Sequence, residues 1–239
     1  MKKDSLREII IQGAAELEIN LPEGAAASFE TYFSFLEKRG REFNLTAITG
    51  EEDVARLHFL DSVALLNAAN FQNARVIDVG SGAGFPGVPL KIVDPSIELT
   101  LLDATYKRVA FLSELCGILE IKAECIHARA EEAACDFDKR EQFDIAVSRA
   151  VADSNILSEL CLPFVRTGGY FVAMKSIGSN DEVAQAGGAI KKLGGDFSGF
   201  FDYTIPGTDI AHRAVLIRKT TKTPDIYPRR FARIKRDPL

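Results

Sequence analysis

Apolar residues recur at helical spacing through the first seventy positions, and then the rhythm changes. Leu6, Ile9, Ile10, Ala14 and Leu17 put one apolar face on a helix over residues 5–19, opened by a capping box of Ser5 and Glu8. Pro22 suits the start of a second helix, on which Phe29, Tyr32, Phe33, Leu36 and Phe43 form an aromatic stripe that reads as core. A polar loop, residues 44–50, leads to a third helix over about 51–67. There His58, Asp61 and Ser62 fall at i, i+3 and i+4 and share one face, opposite Val54, Leu57 and Leu65. From about residue 71 short apolar runs alternate with helical stretches. Strands are expected at 75–79, 97–102, 122–127, 143–148, 169–174, 197–204 and 212–218, and helices at 86–93, 105–119, 153–166 and 180–193. The acidic stretch 128–142 fits neither period.

Strands alternating with helices predict an α/β fold with a doubly wound, mostly parallel, Rossmann-like sheet. The last two strands follow one another without a helix and so predict an antiparallel edge, unlike an all-parallel dinucleotide fold. The expected division is an N-terminal helical cap over 1–70, a ligand-binding α/β domain over 71–219, and a basic tail over 220–239. Pro224, Pro228 and Pro238 predict an extended course for that tail.

Composition adds little until charge is mapped. The 239 residues are 46% hydrophobic and 26% charged, which fits one sizeable core and an extension. The charged start reads as no signal peptide, and no run approaches the ~20 apolar residues of a membrane span. Cys116, Cys125, Cys135 and Cys161 lack a Cys-x-x-Cys pair and are expected as buried free thiols of a reducing cytoplasm. Three scattered histidines give no zinc pattern. The net charge of −5 is unevenly spread: from His212 onward nine Lys or Arg face only Asp225 and Asp237. A locally contacted polyanion and a merely solvated tail both fit that asymmetry.

The candidate chemistry lies where the first strand runs into Gly80-Ser81-Gly82-Ala83-Gly84-Phe85-Pro86-Gly87. A glycine turn at the carboxyl end of a strand is where open α/β sheets hold ligands. Residues 82–87 fit G-x-G-x-x-G, a weak signal alone. Asp103 ends the second strand, where an acid accepts both hydroxyls of an adenosine ribose, although it can also cap the following helix. Asp78, two residues before Gly80, would repel a pyrophosphate but suit a sulfonium and an ammonium. Charge therefore favours S-adenosylmethionine over a nicotinamide dinucleotide.

Further motifs narrow the field: Asn44-Leu45-Thr46, Leu57-His58-Phe59-Leu60-Asp61-Ser62, Phe85-Pro86-Gly87-Val88-Pro89-Leu90, Leu102-Asp103, Lys107-Arg108-Val109-Ala110-Phe111-Leu112, Arg129-Ala130-Glu131, Ser148-Arg149-Ala150 and Tyr227-Pro228-Arg229. In this order they resemble the bacterial 16S rRNA guanine-N7 methyltransferase family (RsmG, glucose-inhibited division protein B). One departure is Arg230-Phe231-Ala232-Arg233, where many relatives carry a Gly-Thr-Pro-type segment.

The resemblance implies a class I methyltransferase that uses S-adenosylmethionine to methylate N7 of a guanine in 16S rRNA, in the cytoplasm. It implies a donor site made by Gly80, Phe85, Asp103, Ala130, Glu131 and Arg149, to which the loop and strand ends add Asp78, Gly82, Gly84, Ala104 and Thr105. Asn44, His58 and Arg149 are candidates for seating the guanine; for Asn44 and His58, helix capping and packing are the plain alternative. The tail, Lys107, Arg108 and Arg149 are expected on rRNA phosphates, free or within the small subunit or its assembly intermediate, with the protein a monomer away from any membrane. The chain lacks both the Asn/Asp-Pro-Pro-Tyr segment of amine methylation and a Pro-Cys nucleophile. A ribose 2′-O-methyltransferase stays open through Lys175, at a strand end. A nicotinamide oxidoreductase is the remoter rival.

Overall fold

The structure, a computed structural model, describes residues 5–43, 48, 50–149 and 152–239, without the side chains of residues 40–43. Asn44 and Thr46 lie outside the described residues.

Seven strands form one sheet in the order β3-β2-β1-β4-β5-β7-β6. They are β1 (Arg75–Val79), β2 (Glu98–Asp103), β3 (Ala123–His127), β4 (Phe143–Ser148), β5 (Val165–Ser176), β6 (Gly195–Thr204) and β7 (Ala211–Lys219). The first five run parallel, with Ile77 of β1 between Thr100 of β2 and Ala146 of β4. β7 runs antiparallel to both β5 and β6, as expected for strands joined without a helix. The reversal of strand order at β1 and β4 creates the crevice in which such sheets bind ligands.

Both sheet faces are covered. On one, the cap helices Leu6–Glu16 and Ala25–Phe43 and the helices Gly87–Val93 and Tyr106–Ile118 bury a shared cluster. Phe29, Tyr32 and Phe59 of the cap meet Val76, Phe85 and Val147 there. The opposite face carries Ser154–Cys161 and the helices of 180–192, packed on Ile77, Ala146 and Phe171. The Ser5–Glu8 capping box forms, with the Ser5 amide donating to Glu8 Oε2 at 2.8 Å. Residues 51–67 are helical throughout, with a wide π turn over Ala55–Leu60. His58, Asp61 and Ser62 do share a face, but all three are buried rather than solvated. No helix of the described residues is long and apolar enough to cross a membrane.

The observed boundaries differ in four places. The helix expected to reach 166 ends at Cys161, and Leu162–Phe164 turn into β5, which begins at Val165; Pro163 has no amide to continue the helix. The strand expected over 169–174 is the longer β5, whose first two residues fall in the span expected as helix. A Cβ at Gly169 would stand 2.3 Å from the Asp144 carbonyl, so only glycine lets the strands approach there. The helix expected over 180–193 is two pieces, Asn180–Gln185 and Gly187–Lys192, divided at Ala186 just before the Gly187-Gly188 pair, whose glycines weaken a continuous helix. Within the acidic stretch Ala130–Ala133 make one helical turn.

The tail is not extended throughout: Phe231–Arg236, the proline-free part, is helical, and Ile234 is fully buried. Of the cysteines, Cys135 is exposed rather than buried.

Candidate active site

The glycine loop is fixed by two carboxylates and a hydroxyl. Gly80 and Ser81 donate their amides to the Leu102 carbonyl at 2.8 and 3.1 Å, and Ser81 Oγ donates to the Asp78 carbonyl at 2.8 Å. Gly82 donates to Asp103 Oδ2 at 3.0 Å, and Gly87 donates to Asp78 Oδ2 at 2.8 Å. Gly80 and Gly84 have φ of +78° and +104°, where a side chain is strained. Around Gly80 the space is open, whereas a Cβ on Gly84 would sit 2.6 Å from the Tyr32 hydroxyl. That hydroxyl donates to the Ala83 carbonyl, so a cap helix holds the loop from behind.

A cavity of about 230 Å³ opens at the ends of β1, β2 and β3. Its walls include Gly80, Asp103, Ala104, Ala130 and Glu131, five of the expected residues from three separate stretches of chain. Ile156, Leu157 and Leu160 make an apolar side. Asp103 is buried, with Oδ1 accepting from the Thr105 amide at 2.8 Å and Oδ2 from Gly82, and Arg108 Nη1 stands 3.5 Å away. These bonds fix the carboxylate yet leave acceptor capacity, since its two oxygens offer about four lone-pair sites. Glu131 is also buried, in the turn following β3, and is no solvated charge. A buried carboxylate with acceptor capacity to spare, beside an open glycine turn and an apolar slot, has the shape and polarity of a nucleoside site.

Other expected residues are not on this wall. Asp78 is fully buried beneath the loop, where burial pushes its carboxyl up to about 7 and Oδ1 has no hydrogen-bond partner. The carboxylate expected to meet a sulfonium instead holds Gly87, closing the loop onto the following helix. Gly82, Gly84 and Thr105 act through their backbones, as loop pivots and as the Asp103 anchor.

Phe85 and Arg149 belong to a second constellation that joins cap and sheet. The Arg149 guanidinium lies 4.7 Å from the centroid of the Phe85 ring, and the His58 imidazole stacks on that ring at 4.5 Å. Arg149 Nη2 donates to His58 Nδ1 at 2.8 Å and Nη1 to the Leu57 carbonyl at 3.2 Å; Asp61 Oδ2 is 3.6 Å away. Accepting at Nδ1 leaves the neutral ring's proton on Nε2. Burial and the neighbouring guanidinium push His58 down to about 3. Asp61 Oδ1 accepts from Tyr203 and His212, each at 2.8 Å, and this bond raises His212. Arg149, expected at the mouth facing donor or phosphate, is thus held by the cap.

Sequence reasoning did not place Tyr203 or His212 here, because they come from the β6–β7 hairpin. It also missed Phe231, which reaches the cavity wall from the tail; a lone aromatic within a basic run was the available signal. Lys175 gives its ammonium to the Ala152 carbonyl and to Glu182 Oε1, both at 2.7 Å.

Known proteins resemble this chain at two levels. A methyltransferase from Pyrococcus furiosus superposes with a TM-score of 0.57 at 9% identity, over 80% of this chain and 98% of that one. A branched-chain polyamine synthase mutein from Thermus thermophilus, solved with N4-aminopropylspermidine and 5′-methylthioadenosine, gives 0.60 at 12%, over 86% of this chain and 66% of that one. At such identities the likeness is of fold, a class I methyltransferase sheet. In sequence, "Ribosomal RNA small subunit methyltransferase G" of Acetivibrio thermocellus is 40% identical over 239 residues, covering 100% of this chain and 98% of the relative. Its counterpart in Thermoanaerobacter sp. (strain X514) is 43% identical over 241 residues, covering both chains fully. The family model described as "GidB: rRNA small subunit methyltransferase G" matches residues 25–200. By that match and by these full-length relatives, the chain belongs to the rRNA small subunit methyltransferase G family.

Proposed function

We propose that this protein transfers the methyl group of S-adenosylmethionine to N7 of one guanine in 16S rRNA. The observation that carries the reading is the cavity between Gly80, Asp103 and Glu131 in a chain of this family. Asp103, steadied by the Gly82 and Thr105 amides, accepts from the ribose hydroxyls. Ala130 and Glu131 meet the adenine edge, and the open space at Gly80 admits the methionine portion. Gly82, Gly84 and Asp78 shape and pin the loop, while Ala104 and Thr105 fix the Asp103 strand end.

Bound S-adenosylmethionine supplies an electrophilic methyl carbon on a sulfonium. Guanine N7 presents a free lone pair, so the protein need remove no proton before attack. Its task is alignment, and proximity with orientation lowers the barrier. Phe85, with His58 and Arg149 against its ring, gives the cap a firm contact with the loop, and Asn44 is taken with them as a candidate from its sequence motif. These residues act as positioning groups for the base. N7 lies on the major-groove edge, free of Watson–Crick pairing, and only a guanine within an RNA helix, whose major groove is deep and narrow, would have to be turned out to be reached. Exposed Lys107, Arg230, Arg233, Lys235 and Arg236 are the cations available to rRNA phosphates. On this reading the protein works as a monomer in the cytoplasm, on rRNA or a small-subunit particle. Lys175, the residue a ribose 2′-O reaction would use, is committed to Ala152 and Glu182.

Mapping of 7-methylguanosine in rRNA from cells with and without the gene tests the proposal. One modification should vanish from 16S rRNA and return when purified protein and S-adenosylmethionine are added. An unchanged methylation pattern, or a 2′-O-methyl product, would overturn it.

A further inference from the structure

The tail reads as a cationic segment for RNA, but its inward side has different chemistry. Phe231 begins the helix Phe231–Arg236 and is half-buried on the wall of the donor cavity, the tail's contribution to a pocket otherwise built by the sheet and its helices. The guanidinium of Arg129, also on that wall and just before Ala130-Glu131, stands 5.8 Å from the centroid of the Phe231 ring. Leu157 and Leu160 complete an apolar surround, suited to the faces of a flat heteroaromatic ring.

The position of Phe231 is enforced by its neighbours. Two residues earlier, Arg229 forks onto fully buried Glu159, with Nε to Oε1 at 2.9 Å and Nη2 to Oε2 at 2.7 Å. Three residues later Ile234 is fully buried. Arg140 Nη1 donates to the Tyr227 carbonyl at 2.9 Å, and Asn155 donates to the Leu239 carbonyl at 3.4 Å. Glu159 and Asn155 lie on the Ser154–Cys161 helix, which also supplies Leu157 and Leu160. Tail and pocket wall are therefore one packed unit.

From this geometry we infer that Phe231, with Arg129 against its ring, is a donor-binding residue that closes the adenine end of the pocket by stacking. The inference rests on the reading of the pocket as the S-adenosylmethionine site. It makes the C-terminal segment part of the donor site, with an aromatic inward and Arg230, Arg233, Lys235 and Arg236 outward on the same short element.

Calorimetric titration of the full-length protein and its Phe231→Ala, Phe231→Leu and Phe231→Trp variants with S-adenosylmethionine, adenosine and methionine tests it. Loss of a base–aromatic stack should weaken S-adenosylmethionine and adenosine by the same factor, about tenfold in Phe231→Ala. Leucine should fall between alanine and wild type, and Phe231→Trp should bind at least as well as wild type. Tryptophan fluorescence adds a readout that simple anchoring of the tail would not move, since the chain has no other tryptophan. Adenosine should quench it and methionine should not. Unchanged donor affinity in Phe231→Ala, or no quenching by adenosine, would overturn the inference. If Phe231→Ala fails to fold, the leucine and tryptophan variants carry the same comparison. A wild-type protein that binds neither S-adenosylmethionine nor adenosine would instead overturn the reading of the pocket, and this inference with it.

Discussion

Asp103 owes its usefulness to the two backbone amides that aim it. Replacing it with alanine removes the ribose acceptor and the Gly82 anchor together, and hydrogen bonds to a charged group are worth ~1.5–3 kcal/mol. Donor affinity should fall about tenfold to a hundredfold, measured by calorimetry, while Asp103→Asn, which keeps an acceptor, should lose less. Two buried groups should give stability opposite slopes with pH. Asp78 has a folded pKa of about 7, above its unfolded value near ~3.9, so its contribution is full at low pH and is lost as pH rises through about 7. His58 has a folded pKa of about 3, below an unfolded value near ~6.5, so stability is lost as pH falls across that interval. Each tenfold change in proton affinity amounts to ~1.4 kcal/mol. In denaturant melts from pH 4 to 8, Asp78→Asn should gain on the wild type as pH rises from 4 to 7. The deficit of His58→Gln should shrink as pH falls below 6.5. The presence of these residues was legible from motif and spacing, but their directions were not. Asp78 was expected to face a ligand and faces an amide; Arg149 was expected at the mouth and lies against Phe85. Strand position fixes which sheet face a side chain takes, while the partner on that face comes from distant sequence.

Among the elements, the Phe231–Arg236 helix departs most from its expected form. Arg229→Ala would leave the Glu159 carboxylate buried without its partner, and breaking such a pair costs about 3 kcal/mol or more. Equilibrium unfolding in urea should show that loss. Deleting residues 220–239 would strip the same anchor along with buried Ile234, so truncation would mix folding with RNA binding. Changing Arg230, Arg233, Lys235 and Arg236 to glutamine isolates charge. Affinity for a 16S rRNA fragment should drop, and the slope of log K against log salt should become shallower, on single strands by up to ~0.7 for each phosphate no longer neutralised. The unfolding midpoint should hold. The prolines predicted an extended tail, which the Phe231–Arg236 helix departs from, because no periodic pattern as short as six residues distinguishes a docked helix from coil. Gly169, inside β5, has the Asp144 carbonyl so close that no side chain fits, a requirement set by the neighbouring strand and not by its own stretch of sequence.

Across the whole molecule, the mostly parallel, doubly wound sheet and its antiparallel ending were legible because each depends on the sequence of elements and whether a helix separates them. The cap was legible as helices, yet its relation to the sheet was not. Phe29, Tyr32 and Phe59 share one buried cluster with Val76 and Phe85, so cap and sheet have a common interior. The acidic body and basic end concentrate positive charge on a segment beside the cavity, a distribution that would favour a polyanion's approach on that side. Asp61, in the cap, accepts hydrogen bonds from Tyr203 and His212, partners 142 and 151 positions further along the chain. That separation sets an order of events during synthesis. The amino-terminal helices emerge first, but the buried Asp61 carboxylate obtains these bonds only after the β6–β7 hairpin has been made. Such non-local closure is slow compared with local helix formation. On nascent chains halted before residue 203 the cap should remain open to protease, and it should become resistant once residue 219 has cleared the exit tunnel.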